Sequence, residues 1–528
     1  MNLLERNLFQ QAGAWIRGLT GWRRLLLAFA AGAVSATGFA PLGIFPALLL
    51  GIAALVLLID GADASSRPVR RAASAGWAFF FGQYLIGLHW IGFAFLIDPA
   101  SHLWQLPFAI LSMPAGLALF GALACGLAVR FWRSGPARIF VLAILLGSAE
   151  WLRGHVFTGF PWNLTGYGWG ASLAMLQSTS LMGIYGLSFL TLLLGASLAE
   201  LSDHRWRLPA AMVLLFAVLW GTGAWRLAAT PARDVPGVSL RLVQPNIPQR
   251  EKYQRRLMLR NWQRLMDLSL RPASKEAGTP THIIWPEAAT GFPVARAPGA
   301  LEQIALLTAR GQTLMTGSDR IEESEAGLTF YNSLYLFGPG RVPPVVYDKF
   351  HLVPFGEYVP FADILNRIGI TKLTAGGGFS SGDKPHVLKV SGAPAMTALI
   401  CYEVIFPHAV TDPAAPRPGW LVNITDDSWF GPWAGPRQHL LIARTRAIEE
   451  GLPIARAANT GISAVIDPLG RLRSPLALNQ TAILDSRLPV ALPQTFYARF
   501  GDLIFLMFLV TGAFSAFFLA RNNNRFDF

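Results

Sequence analysis

Cysteine is nearly missing from this chain: Cys125 and Cys401 are two residues in 528. Two cysteines in that length exclude a disulfide framework, and nothing shows the thiol spacing of a metal site, so no metal and no cofactor are expected. Charge is scarce too. Only 14% of residues are Asp, Glu, Lys or Arg, against 52% hydrophobic, and mean hydropathy is +0.40. That balance excludes an ordinary soluble protein. Acidic residues are the minority among the charges, 31 against 44 basic, which leaves a net charge of +13. The arginines are scattered between apolar segments rather than gathered in one stripe, so they read as topology signals and no nucleic-acid partner is expected.

What is present in quantity is apolar sequence. Seven segments near the roughly 20 residues that cross a bilayer as helix stand at about 24–40, 43–60, 75–97, 104–129, 138–152, 171–199 and 208–226, with an eighth at 501–520. Arg6, Arg17, Arg23 and Arg24 precede the first. Arg67, Arg70 and Arg71 follow the second, Arg130, Arg133 and Arg138 the fourth, Arg205 and Arg207 the sixth, and Arg521 and Arg525 the eighth. The loops between carry no arginine or lysine except Arg153. Basic residues stay on the cytoplasmic side, so both termini are expected in the cytoplasm. The division expected is a seven-helix transmembrane bundle over 1–230, an external domain over 231–495, and a C-terminal transmembrane helix with a cytoplasmic tail over 496–528. Polar residues within spans, Glu150 and Gln177, are costly in lipid and are candidates for function, although Glu150 near a span end also reads as simply wet. Phe160, Trp162, Tyr167 and Trp169 suit an external loop at the headgroup layer.

From Ser239 the texture changes to short apolar runs separated by turns and amphipathic helices, as in an α/β domain. Strands are expected at 240–243, 282–285, 313–316, 333–337, 345–347, 395–400, 420–424, 454–457 and 462–466, with helices over 256–271, 301–310 and 437–450. Three of these strands end in a reactive side chain: Glu287, Lys349 and Cys401. Ligand sites in layered α/β folds gather where strands stop. The spacing of these three allows adjacent strands of one sheet.

Alone, Cys401 reads as a small buried hydrophobe or as a nucleophile. Beside Lys349 and Glu287 it gains a chemistry. An ammonium favours the thiolate, a carboxylate takes and returns the thiol proton, and Lys349 with backbone N–H groups after Cys401 meets an oxyanion. No histidine stands at these strand ends, but His351 lies near enough to Lys349 to keep a Cys–His pair open.

Trp285-Pro286-Glu287, the run from Tyr347 to Tyr358, and Ile400-Cys401-Tyr402-Glu403 resemble the Glu–Lys–Cys motifs of the nitrilase, or carbon–nitrogen hydrolase, superfamily. With eight spans, Gly159 to Asn163, Val243 to Gln249, Asn423 to Gly431 and Ala457 to Gly461, the resemblance narrows to the bacterial apolipoprotein N-acyltransferase family. It covers essentially the whole chain. It implies a membrane α-helical bundle of about eight transmembrane helices plus an α/β nitrilase-like α-β-β-α sandwich domain, set in the bacterial inner membrane with the sandwich in the periplasm. The implied reaction takes an acyl chain from a phospholipid donor onto Cys401 as a thioester. The acceptor is the α-amine of a diacylglyceryl apolipoprotein.

By the same resemblance Glu287 is the general base, Lys349 the oxyanion-stabilising lysine and Cys401 the nucleophile. Glu357, Tyr402 and Glu403 support them, and Tyr253 contacts substrate where relatives often carry tryptophan. Read from the residues alone, Glu357 is also a solvated loop acid, Glu403 an acid favoured by a helix N-terminus, and Tyr402 core. Gly376-Gly377-Gly378-Phe379 reads as a lid hinge or a plain linker. A membrane-tethered amidase, with water as acceptor, is the alternative. A transporter with a structural extra domain would not need Cys401.

Overall fold

The structure is a computed structural model and describes residues 3–325, 327–340, 343–360, 378–407 and 409–523. Phe361, Gly376 and Gly377 lie outside the described residues, and with them most of the expected lid hinge. The chain divides into two units: Met1–Ile91, Gln105–Thr230 and Phe496–Phe528 form one, and Gly92–Trp104 with Pro231–Thr495 the other.

Long apolar runs with every backbone bond made internally build the first unit. Among the described residues, five helices, wholly or mainly in this unit, are long and apolar enough to cross a membrane: Phe45–Asp63, Pro99–Phe131, Thr179–Asp203, Arg207–Ala229 and Leu503–Arg521. The pair Pro68–Gly87 and His89–Leu96, bent by 48°, makes a sixth if counted as one span. The expected spans at 24–40 and 138–152 fall on Gly21–Ser35, which has 15 residues, and on Ala137–His155, which carries Arg138, Glu150 and Arg153. Length excludes the first from that set and charge the second.

Glu150 is buried rather than wet, and its Oε1 accepts from the Thr165 N–H (2.9 Å) and hydroxyl (2.5 Å). One turn on, Arg153 donates to the carbonyls of Phe160 (2.6 Å) and Trp162 (2.8 Å). This clamp folds the aromatic loop inward. Trp162 and Tyr167 are therefore interior residues of the unit, not the headgroup-layer aromatics expected from their composition. Gln177 accepts from Arg226 at 2.6 Å.

In the second unit the described residues form two six-stranded sheets. The first runs β12–β1–β2–β3–β4–β5, with β1 (Asp234–Gln244), β2 (His282–Ile284), β3 (Thr313–Ser324), β4 (Gly327–Phe337), β5 (Val345–Asp348) and β12 (Ala482–Pro489). The second runs β11–β10–β9–β8–β7–β6, with β6 (Val387–Leu388), β7 (Met396–Ile400), β8 (Trp420–Thr425), β9 (Ile454–Ala458), β10 (Ala464–Ile466) and β11 (Leu472–Arg473). Each holds a parallel triple, β1–β2–β3 or β7–β8–β9, continued by antiparallel strands. β3 and β4 extend well past the expected runs as one hairpin, paired from Leu314↔Phe337 to Ser324↔Gly327. Their outer halves are polar and exposed, which hid them from an apolar pattern.

The sheets face each other across one core, in which Leu240, Leu242, Ile284, Met315 and Leu334 meet Met396, Ala398, Ile400, Val422 and Ala455. On the outer face of the first sheet, Trp262 and Leu265 of helix Arg255–Leu270 and Ile304 and Leu307 of helix Pro298–Thr308 cover Ile283, Trp285 and Tyr335. Helix Ala434–Glu450, buried along most of its length, packs against β9 and the turn after β7. The result is an α-β-β-α layering.

Candidate active site

The three strand ends are not neighbours in one sheet. Glu287 and Lys349 leave β2 and β5 of the first sheet, and Cys401 leaves β7 of the second. Face-to-face packing of the sheets, not strand adjacency, brings them into one site.

After β2 the chain stays tied to β3, with the Gly317 N–H donating to the Pro286 carbonyl at 3.1 Å. Any β-carbon at Gly317 would stand 2.6 Å from the Glu287 Cα, so this approach requires glycine. Glu287 is buried. Its Oε1 accepts from Asn332 Nδ2 (2.8 Å) and its Oε2 from the Asp426 N–H (2.8 Å). Lys349, held through its own N–H to the Asn332 carbonyl (2.8 Å), places Nζ 3.6 Å from Glu287 Oε1. It is closer to Glu357, at 3.0 Å from Oε1 and 2.9 Å from Oε2. Glu357 also accepts from Asn332 (3.0 Å) and from the Val353 N–H (2.8 Å). It is thus a buried member of the cluster and not a solvated loop acid.

Cys401 is 6% exposed, and its backbone lies in the left-handed region (φ 52°) at the point where β7 gives way to a tight turn over Cys401–Ile405. Burial first, then the Glu287 charge, push its thiol well above the ordinary range, and Lys349 opposes them without winning. The lysine alone therefore does not supply a thiolate. Burial likewise raises Glu287, with Lys349 pulling against it and Glu357 and Asp426 adding to it. Burial acts to lower Lys349, but Glu357 and Glu287 outweigh it and hold the ammonium charged.

Glu403 stands in the first turn of the short helix Cys401–Ile405 and caps it, as an acid at a helix start does, and it also reaches the lysine segment. Its Oε2 accepts from the Ile400 N–H (2.6 Å), while Oε1 accepts from the Phe350 N–H (2.7 Å), the His351 N–H (3.2 Å) and the Tyr347 hydroxyl (2.9 Å). These four bonds to one carboxyl group staple the lysine segment to the cysteine strand. Tyr402 is buried, its ring 5.1 Å from Phe406 and 5.6 Å from His351. The His351 ring lies flat on Phe406 at 3.8 Å. Tyr253 is 47% exposed as a whole, but its hydroxyl end is turned inward, where burial first, then the carboxylates of Asp319, Asp426, Glu287 and Glu357, raise its phenol.

A family model for the apolipoprotein N-acyltransferase N-terminal domain matches residues 31–197, and one for carbon-nitrogen hydrolase matches 240–492. The apolipoprotein N-acyltransferase of Rhodopseudomonas palustris is 44% identical over 515 residues, covering 95% of this chain and 96% of the relative. This chain belongs to the apolipoprotein N-acyltransferase family. The relative from Bradyrhizobium diazoefficiens is 44% identical over 496 residues, covering 91% of this chain and 92% of its own. An amidase of the nitrilase superfamily from Nesterenkonia AN1 is 19% identical, covers 53% of this chain and 99% of that chain, and superposes with a TM-score of 0.35.

Several residues around the candidate site escaped the sequence. Asn332 is mid-strand in β4, and only its position opposite Asp319 across the hairpin turns it toward the carboxylates. Lys252 forms a buried ion pair with Asp426 and reaches the Glu287 carbonyl at 3.4 Å. Burial raises Asp319 to about 6, with Lys252 opposing. His439 is the histidine bonded to Cys401, and it meets the backbone carbonyl (3.3 Å) from helix Ala434–Glu450. The Asn423-Ile424-Thr425-Asp426-Asp427 motif was the available signal for Asp426. Nothing local marked Asn332 or His439.

Proposed function

We propose that this chain carries an acyl group from a membrane phospholipid on Cys401 as a thioester and passes it to the N-terminal α-amine of a diacylglyceryl-cysteine apolipoprotein. The observation that carries the reading is the burial of Cys401 within reach of the charges of Glu287 and Lys349, with Glu287 buried and only loosely paired to Lys349 at 3.6 Å while burial keeps the thiol raised. A thiol that does not ionise by itself needs a base at the moment of attack.

In this mechanism Glu287 takes the Cys401 proton as sulfur attacks the donor ester carbonyl. Lys349 and the N–H after Cys401 meet the oxyanion, and collapse expels the lysophospholipid, protonated by Glu287. The acceptor amine then attacks the thioester, gives its proton to Glu287, and the thiol leaves with it. Glu357 holds Lys349, Glu403 and Tyr402 brace the segments that present Lys349 and Cys401, and Tyr253 contacts substrate at the exposed edge. No step calls for a metal or cofactor. Both substrates are lipid-anchored, which accounts for a catalytic domain on a membrane-spanning chain.

The membrane reading is eight spans, the six above together with Gly21–Ser35 and Ala137–His155 as the remaining two. It sets bundle, domain and final helix at 1–230, 231–495 and 496–528, in the bacterial inner membrane with cytoplasmic termini and a periplasmic domain. The alternation of arginine-bearing and arginine-free loops supports it.

Incubation of the full chain with a diacyl phospholipid followed by intact-mass measurement tests the reading. An acyl adduct that vanishes in Cys401→Ala and is discharged by a diacylglyceryl-cysteine peptide is expected. Release of ammonia from simple amides without any adduct would make it an amidase instead.

A further inference from the structure

Behind Cys401 lies a buried charged group that the steps above do not use. His439, Asp427 and Arg456 are all fully buried. Arg456 of β9 donates to Asp427 Oδ2 (2.7 Å) and to Asn423 Oδ1, and Thr425 donates to Asp427 Oδ1 (2.9 Å). His439 Nδ1 stands 3.1 Å from Arg456 Nη2 and 3.0 Å from Asp427 Oδ1, while Nε2 faces the Cys401 carbonyl at 3.3 Å. Asp427 is held down at about 2, Arg456 and His439 outweighing its burial, so its charge is already matched. Burial first, then the guanidinium, lower His439, with Asp427 opposing. A carbonyl oxygen only accepts, so the contact at Nε2 is a bond donated by the ring, while Nδ1 lies between the Arg456 guanidinium and the Asp427 carboxylate.

The bonded carbonyl belongs to the peptide unit between Cys401 and Tyr402. In a trans peptide the C=O and the following N–H point in opposite directions, so holding the oxygen aims the Tyr402 N–H. A bond donated to the C=O also polarises the unit and strengthens that N–H as a donor. The left-handed backbone of Cys401 is a conformation that persists only where surrounding contacts impose it.

We propose that His439 is a positioning residue: through the Cys401 carbonyl it locks the left-handed turn of the nucleophile and aims the Tyr402 N–H at the acyl oxygen. This rests on reading Cys401 as the acyl carrier. It differs from a Cys–His pair, because the ring touches the backbone of the cysteine and takes no proton from sulfur.

The experiment uses the full chain in a Cys125→Ala background and two electrophiles, p-nitrophenyl butyrate, which passes through an oxyanion, and iodoacetamide, which does not. In His439→Leu, ester acylation of Cys401 is expected to slow about 10-fold or more, as when an oxyanion donor is misplaced. Alkylation should change less than about threefold, and His439→Gln, whose amide nitrogen replaces Nε2, should restore the ester rate. If the leucine variant does not fold, His439→Asn gives the same comparison, because its shorter amide falls short of the carbonyl. Equal slowing with both reagents, unchanged ester acylation, failure of glutamine to rescue, or a pH limb lost in His439→Gln would each overturn the proposal. Absence of a phospholipid adduct in the wild type would sink the donor assignment while leaving the ester comparison decisive.

Discussion

Lys349 Nζ stands 2.9 Å from Glu357 Oε2, 0.7 Å nearer than its 3.6 Å approach to Glu287. Glu357 thus takes the closer share of the ammonium and leaves Glu287 the more loosely paired of the two carboxylates. Replacing Glu357 with Gln removes a charge that raises Glu287 and frees Lys349 to pair with it. Both effects lower Glu287. The acid limb of Cys401 acylation should move to lower pH, and the plateau rate should fall about 10- to 100-fold as the base weakens. A pH–rate profile of single-turnover adduct formation checks this, and a limb displaced upward would contradict it.

Asn332→Leu should act with the opposite sign. Its amide donates to Glu287 at 2.8 Å and to Glu357 at 3.0 Å, and the bond to Glu287 favours the carboxylate form. Without it Glu287 rises further, so the acid limb should move to higher pH in the same assay. An unshifted limb would mean that Asn332 only fills space.

Burial raises Glu403 from its ordinary value of about 4.5 to about 7, although the Ile400, His351 and Phe350 N–H groups pull it back. The folded state therefore holds a proton that the unfolded state releases between about pH 4.5 and 7. Stability from this group is fully present below that window and lost as pH rises through it, on the order of 3 kcal/mol for such a shift. Glu403→Gln, which does not titrate, should cost more in thermal midpoint at pH 5 than at pH 8. A larger cost at pH 8 would refute this.

Lys252→Met leaves Asp426 charged and buried without its partner, beside the N–H that Asp426 donates to Glu287. Breaking a buried pair on one side typically costs about 3–5 kcal/mol. The single variant should lose both thermal midpoint and acylation rate, and Lys252→Met with Asp426→Leu should lose less midpoint than the two single costs added. Simple additivity would show that the pair is not coupled.

Much of this was legible in the chain because local patterns carry it. Apolar runs of bilayer length, arginines grouped at alternate loops, and strands that stop at Glu287, Lys349 and Cys401 are statements about neighbours in sequence. Where polarity overrode the pattern, as in the outer halves of β3 and β4, strands were missed. Where a buried ion or hydrogen bond overrode composition, as with Arg153 holding the loop of Trp162, a surface location was expected for an interior residue.

By itself the sequence determined most of the elements, though not β6, β11 and β12, the reactive side chains at the strand ends and, through its motifs, the family. Tertiary structure alone decided that Cys401 belongs to a different sheet from Glu287 and Lys349, that Asn332 and Glu357 divide the charges between them, and that His439 rather than His351 meets the cysteine. The reason is physical. Hydrophobic periodicity is written every two or four residues, whereas these hydrogen bonds join groups 25 to 56 residues apart, and only the packing of the two sheets gives them a common place.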